Sequence, residues 1–228
     1  MISEETQLKF GFKFGQAGAH ASRTIMLAEL ELLFEATASN FTVNEYRDAI
    51  EQKNVLNKNT SKTRSLTFRH LVDLYSLENG FAIFRVFRRL WDVDEAARPV
   101  LACQLALTRD ALLRLSQQKI LSLELNEVLP RGDMEAVFEK RFPHRFSAAT
   151  LKSIAQNINA SWTHAGFLRG RSKKYRADPV IRPVNVVFAL FAAYLQGATG
   201  NRLFISEWLQ VLERREEELL ELAVFASH

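Results

Sequence analysis

The chain has 228 residues, 47% of them hydrophobic and 25% charged, with a formal net charge of +4. This is globular composition of a size for one large or two small domains. Nine glycines and five prolines argue against a β-sandwich or a low-complexity chain, one cysteine excludes an intrachain disulfide and a cysteine-based zinc finger, and the longest apolar run (VNVVFALFAAYL) is well short of the roughly 20 residues that span a bilayer.

The acidic start MISEETQLKF lacks the apolar stretch of a signal peptide, so a cytoplasmic protein is expected. In LKFGFKFG, Leu8, Phe10, Phe12 and Phe14 alternate with Lys9, Gly11 and Lys13, and this period of two predicts a short N-terminal strand. HASRTIMLAELELLFEA, apolar around much of its circumference, predicts a central helix. Thr42 and Glu45 have the spacing of a capping box at the head of VNEYRDAIEQ. After the turn KNVLNKNT, SKTRSLTFRHLVDLYS predicts a helix with Phe68, Leu71 and Tyr75 inward and Lys62, Arg69 and Asp73 outward; the pair reads as a possible helix-turn-helix. GFAIFRVFRRLWDV predicts a helix with Arg85, Arg88 and Arg89 as an outward stripe, and residues 94–123 predict more helix, with Cys103 as a plain core residue. The weakly patterned ELNEVLPRG divides an N-terminal part (1–125) from a C-terminal part (126–228).

Beyond that connector the charges separate. Residues 145–182 hold Arg145, Lys152, Arg169, Arg171, Lys173, Lys174, Arg176 and Arg182 against Asp178 alone, whereas ERREEELLEL (213–222) is acidic. Such segregation points to a polyanionic partner. DMEAVFEKRF and the turn PHR lead to a long helix that Ser147 would cap, with Leu151, Ile154, Ile158 and Trp162 as its core stripe. A second stripe, Lys152, Gln156, Asn159 and Thr163, consists of hydrogen-bonding side chains, and no acid occurs from Ser147 to Ala177. Amides and lysine suit base edges and phosphates. FLRG and VIRP then read as two strands about a cationic tip, the wing of a winged helix-turn-helix, anchored by Phe167, Leu168, Tyr175, Val180 and Ile181. On the residues alone, this surface is either a DNA contact or a solvated or protein-facing one.

Other chemistry lacks its motifs. GxxxxGK[ST], GxGxxG, GxSxG and HExxH are all missing, and the glycines of GFKFGQAGAH are not followed by the Lys-Ser/Thr of a phosphate loop. No catalytic or metal residues and no cofactor are therefore expected, and the protein is read as a non-enzyme.

Three stretches, FKFGQAGAHASRTIMLAELEL, VLNKNTSKTRSLTFRHLVDLY and RFSAATLKSIAQNINASWTHAGFLRG, resemble the BrxA family of bacteriophage-exclusion (BREX) defence systems. The resemblance covers most of the chain. It implies a mainly α protein: a helical bundle with a helix-turn-helix N-terminal part, a winged helix-turn-helix C-terminal part and a short β wing. It also implies a non-enzymatic double-stranded DNA-binding accessory of a phage-defence complex, with other defence proteins as partners. The family's DNA-contacting elements fall here on Lys62 and Arg69, and on Lys152, Gln156, Arg169, Arg171, Lys173, Lys174 and Arg176. The competing expectation is a protein–protein adaptor with incidental nucleic-acid contact, motivated by Phe204, Ile205, Trp208 and Leu209 beside the acidic tail.

Overall fold

The computed structural model describes residues 2–16 and 18–226, which form a mainly helical protein with one small antiparallel sheet. The helices of the N-terminal part are α1 (Glu4–Phe10), α2 (Leu27–Glu35), α3 (Val43–Glu51), α4 (Ser61–Tyr75), α5 (Ala82–Trp91), α6 (Arg98–Arg109) and α7 (Ala111–Leu121). Then follow β1 (Val128–Leu129), α8 (Asp133–Arg141), α9 (Ala148–His164), β2 (Leu168–Arg169), β3 (Lys174–Arg176), α10 (Pro183–Leu195), α11 (Glu207–Gln210) and α12 (Glu216–Phe225).

The predicted N-terminal strand is not formed. Ser3 Oγ accepts the Thr6 N–H, Glu4 and Glu5 occupy the positive end of the helix dipole, and α1 runs through Leu8 and Phe10. Gly11 ends it at φ +100°, where a Cβ would also stand 2.8 Å from Phe81 Cβ. The alternating aromatics thus come from the last turn of a helix and an extended tail, in which Phe12 is buried and the Lys13 N–H bonds to Thr108 O. The helix expected from His20 starts only at Leu27. Residues Ala19–Ala21 form a single 3₁₀ turn, because His20 and the Ile25 N–H are drawn to partners in other elements rather than to their own turn.

The capping box of α3 forms as its spacing predicts: Glu45 N–H bonds to Thr42 Oγ1, and Glu45 Oε2 accepts the Thr42 N–H at 2.7 Å. Arg88, expected on an outward stripe of α5, lies inside the protein at 2% exposure. Its guanidinium stacks 4.4 Å from the Phe34 ring, donates to Phe34 O and Thr37 O, and reaches Asp92 at 2.6 Å. An arginine can be buried on an apolar face when its donors find carbonyls and a carboxylate, which periodicity alone does not reveal. Arg85 and Arg89 do face solvent.

Helix α6 is the axis of the core. Every residue from Val100 to Asp110 is buried, Cys103 included, and α4, α5, α7, α9 and α10 all pack on it. The helix predicted over 94–123 breaks at Asp110, whose carboxylate accepts the N–H groups of Leu112 and Leu113 and so begins α7. Buried apolar residues from Phe12 to Leu219 form one cluster that continues across residue 125. The weakly patterned connector carries β1, which pairs with β3 (Val128 opposite Tyr175), and β3 pairs in turn with β2 (Arg169 opposite Tyr175), giving the order β1-β3-β2. The first wing strand lies in FLRG as expected. The second is Lys174–Arg176 and not VIRP, since Pro179 and Pro183 lack ladder donors and Pro183 instead opens α10.

Candidate nucleic-acid interface

Ser147 Oγ accepts the Thr150 N–H and starts α9, one of the longest helices of the fold. Ile154, Ile158 and Trp162 fix its inner face, with the indole donating to Ser116 Oγ on α7 at 2.7 Å and the Trp162 ring meeting Phe167 edge-on. That leaves an outer arc of Lys152, Ser153 and Gln156, exposed, with Asn159, Ala160 and Thr163 half-buried at its edges. The arc combines donors, acceptors and small side chains without an acid.

The β2–β3 hairpin folds back beside this arc. Its turn depends on Gly170, at φ +98°, because a Cβ there would stand 2.2 Å from Lys173 O. Between hairpin and helix lies a groove of about 750 Å³. Lys152, Gln156 and Asn159 line one wall, and Arg171, Ser172, Lys173 and Lys174 line the other. Arg131, at the head of α8, closes the end together with Gly132 and the acid Glu135. Among the described residues Arg131, Lys152, Arg171 and Lys173 have no acidic partner, so their charge is open to solvent. Lys173 sits 5.4 Å from the Tyr175 ring. Lys174 Nζ bonds to Gly170 O at 2.7 Å, and partial burial lowers its pKa. His164, at the end of α9, is also lowered, first by burial and then by the neighbouring Lys174 charge.

The structure thus brings Lys152, Gln156, Asn159, Arg171, Lys173 and Lys174 to one place. Arg169 is exposed at the hairpin base, bonded to Asn126 Oδ1 at 3.0 Å and set over the Tyr175 ring. Thr163 spends its hydroxyl proton on Asn159 O at 2.7 Å. Lys62 and Arg69 line a separate shallow depression on α4 with Ser65 and Leu66. Arg176 is a correction: at 2% exposure it has no surface to offer a ligand, and its guanidinium bonds to Phe167 O and pairs with Glu213. Its strand neighbours Lys174 and Tyr175 are half-exposed, and only the partners Phe167 O and Glu213 draw Arg176 inward, so charge count alone misplaced it. The docking patch expected at 204–209 is also largely internal, with Trp208 and Leu209 buried, Phe204 packed on the core and Ile205 alone fully outward.

Sequence reasoning missed Arg131, which joins the groove only because β1 carries it to β3. It also missed a polar cluster behind α9. His20 Nδ1 lies 2.9 Å from Asp110 Oδ2, at ion-pair distance though not aligned as a hydrogen bond, and His20 Nε2 lies 2.9 Å from Ser161 Oγ. This is the residue order of a hydrolytic triad, but all three side chains are at most 1% exposed. Ser161 Oγ is already bonded to Ile25 N and Asn157 O, which leaves no open side for a substrate. The cluster ties the loop before α2 to the head of α7 and the back of α9. Gly18 permits the approach, since a Cβ there would meet Asp110 Oδ1 at 2.1 Å.

No helix of the described residues is long and apolar enough to cross a membrane. No protein-family model matches the chain, and no curated protein matches it significantly.

Proposed function

We propose that the protein binds double-stranded DNA without catalysing a reaction, laying the outer arc of α9 along the major groove and the β2–β3 hairpin against the adjacent phosphates. The observation that carries this reading is the groove itself: four cations without acidic partners surround an acid-free helix face rich in amides. Left unpaired, such charges repel one another, and a phosphate chain supplies the missing counter-charge. The order α7-β1-α8-α9-β2-β3, with β1 on the far side of β3, supports a winged helix-turn-helix, in which α9 is the recognition helix and the hairpin is the wing.

Lys152, Arg131, Arg171, Lys173 and Lys174 hold phosphates in this reading, and Gln156 and Asn159 face base edges. Lys62 and Arg69 form a secondary contact on α4. The likeness to the BrxA family in the three stretches quoted above adds a biological setting, an accessory role in a cytoplasmic phage-defence complex. The adaptor reading loses its apolar patch to the core.

Competition for a fluorescent ~20-bp duplex by unlabelled duplex, single strand and RNA of the same sequence tests the assignment. Duplex DNA should compete at least tenfold better than either alternative, because a recognition helix and wing suit a duplex groove and its flanking phosphates, and the side chains lining this groove include no aromatic ring on which unpaired bases could stack. Equal competition by single strands would refute the recognition-helix assignment.

A further inference from the structure

The hairpin carries three of the groove cations, so its pose beside α9 governs whether they meet a phosphate chain together. At its base the buried Arg176 guanidinium bonds to Phe167 O at 2.9 Å and to Ala177 O, carbonyls that flank the two strands. It also stacks 5.5 Å from the Phe167 ring. The carboxylate that balances it, Glu213, comes from the linker between α11 and α12, where the backbone takes the left-handed φ of +49°. The next residue, Arg214, donates to Asp178 Oδ1 at 2.8 Å and to Pro179 O at 3.0 Å. The linker is itself pinned to the core by Leu212 and Leu219.

We propose that Glu213 and Arg214 are a strap that sets the wing against α9, and hence are positioning residues for duplex binding. The inference deepens the DNA-binding reading and rests on it. Two consecutive linker residues grip Arg176, Asp178 and Pro179, the chain leaving β3, at three points. A buried guanidinium deprived of its carboxylate must leave its site or draw in water, since an unpaired buried charge is strongly destabilising. Either response opens the hairpin base. Lys173 and Lys174 lie within three residues of Arg176, so they move with it.

Glu213→Gln keeps the shape of the side chain and removes its charge; Glu213→Asp keeps the charge. Two readouts separate the strap from general folding. In the DNA-free protein, at a temperature where both proteins are fully folded by circular dichroism, trypsin should cut the tip at Arg171, Lys173 and Lys174 about tenfold faster in Glu213→Gln than in wild type. With a ~20-bp duplex, affinity should fall about tenfold and the salt dependence should flatten by about two phosphate contacts, with Glu213→Asp recovering most of both. Cleavage and affinity within twofold of wild type would overturn the strap. If Glu213→Gln unfolds the protein, Arg214→Ala carries the same test with the same expected results. A wild type that binds no duplex would refute the DNA reading instead, and tip cleavage would still decide the strap.

Discussion

Replacing Lys173 and Lys174 together with glutamate is expected to weaken duplex binding at least 100-fold at about 100 mM salt while the protein stays folded. The two side chains face the groove from the hairpin side, opposite Lys152 and Gln156. Reversal removes two phosphate contacts and introduces two repulsions, so the loss exceeds that of a neutral substitution. Folding should survive. Lys173 is exposed, and Lys174 gives up one hydrogen bond to Gly170 O at the tip. A cost of about 1 kcal/mol is the scale for such a bond, small against the stability of a domain this size. Anisotropy titrations beside a thermal melt check both halves. Unchanged affinity in a folded variant would remove the hairpin from the interface.

The largest stability effect is expected at Asp110. Its carboxylate meets the His20 imidazole and accepts the N–H groups of His20, Leu112 and Leu113, all within the core. Asp110→Ala leaves those donors unsatisfied and should cost about 3–5 kcal/mol in urea unfolding. Burial pushes this carboxyl upward, but the His20 charge and hydrogen bonds from His20 and Leu113 outweigh it and hold the pKa at about 2. A carboxyl depressed in the folded state adds stability above its unfolded pKa, and that stability is lost as pH falls through the folded value. Between about pH 4 and pH 2 the wild type should therefore lose roughly 2 kcal/mol from this group, a loss that Asp110→Asn should lack. A parallel pH dependence in the two proteins would show that Asp110 is not the titrating anchor. Duplex binding by Asp110→Asn at neutral pH should persist, since the cluster backs α9 and does not line the groove.

Local signals carried the C-terminal part of the fold well. Ser147, the apolar stripe Ile154, Ile158 and Trp162, and the strand in FLRG are short-range features, and α9 and β2 form where they predict, while the second wing strand lies at Lys174–Arg176, ahead of the expected VIRP. The N-terminal end was misread because two local signals conflicted there. The alternation from Leu8 to Phe14 suggested a strand, yet the Ser3 cap with Glu4 and Glu5 decided for a helix. The buried polar residues were illegible for a different reason. Arg88, Arg176, His20 and Asp110 depend on partners far along the chain, namely the Phe34 and Thr37 carbonyls, Glu213, Ser161 and His20 respectively, and nothing in their own neighbourhood marks them as internal. The same holds for Arg131, whose place in the groove depends on the β1–β3 pairing. Charge counting located the candidate interface but could not separate Lys173 and Lys174, which face the groove, from Arg176, which holds the hairpin together.

The measurement that bears most directly on the central claim is the affinity of the wild-type protein for a ~20-bp duplex across a series of salt concentrations. Four to six phosphate contacts, the number the groove cations and Arg169 can provide, give a log–log slope of about −4 to −5. A slope in that range, with binding that tightens steadily as salt is lowered, is the predicted result. No binding at the lowest salt, or binding with a slope near zero, would contradict a phosphate-clasping groove and leave the basic hairpin without a nucleic-acid role.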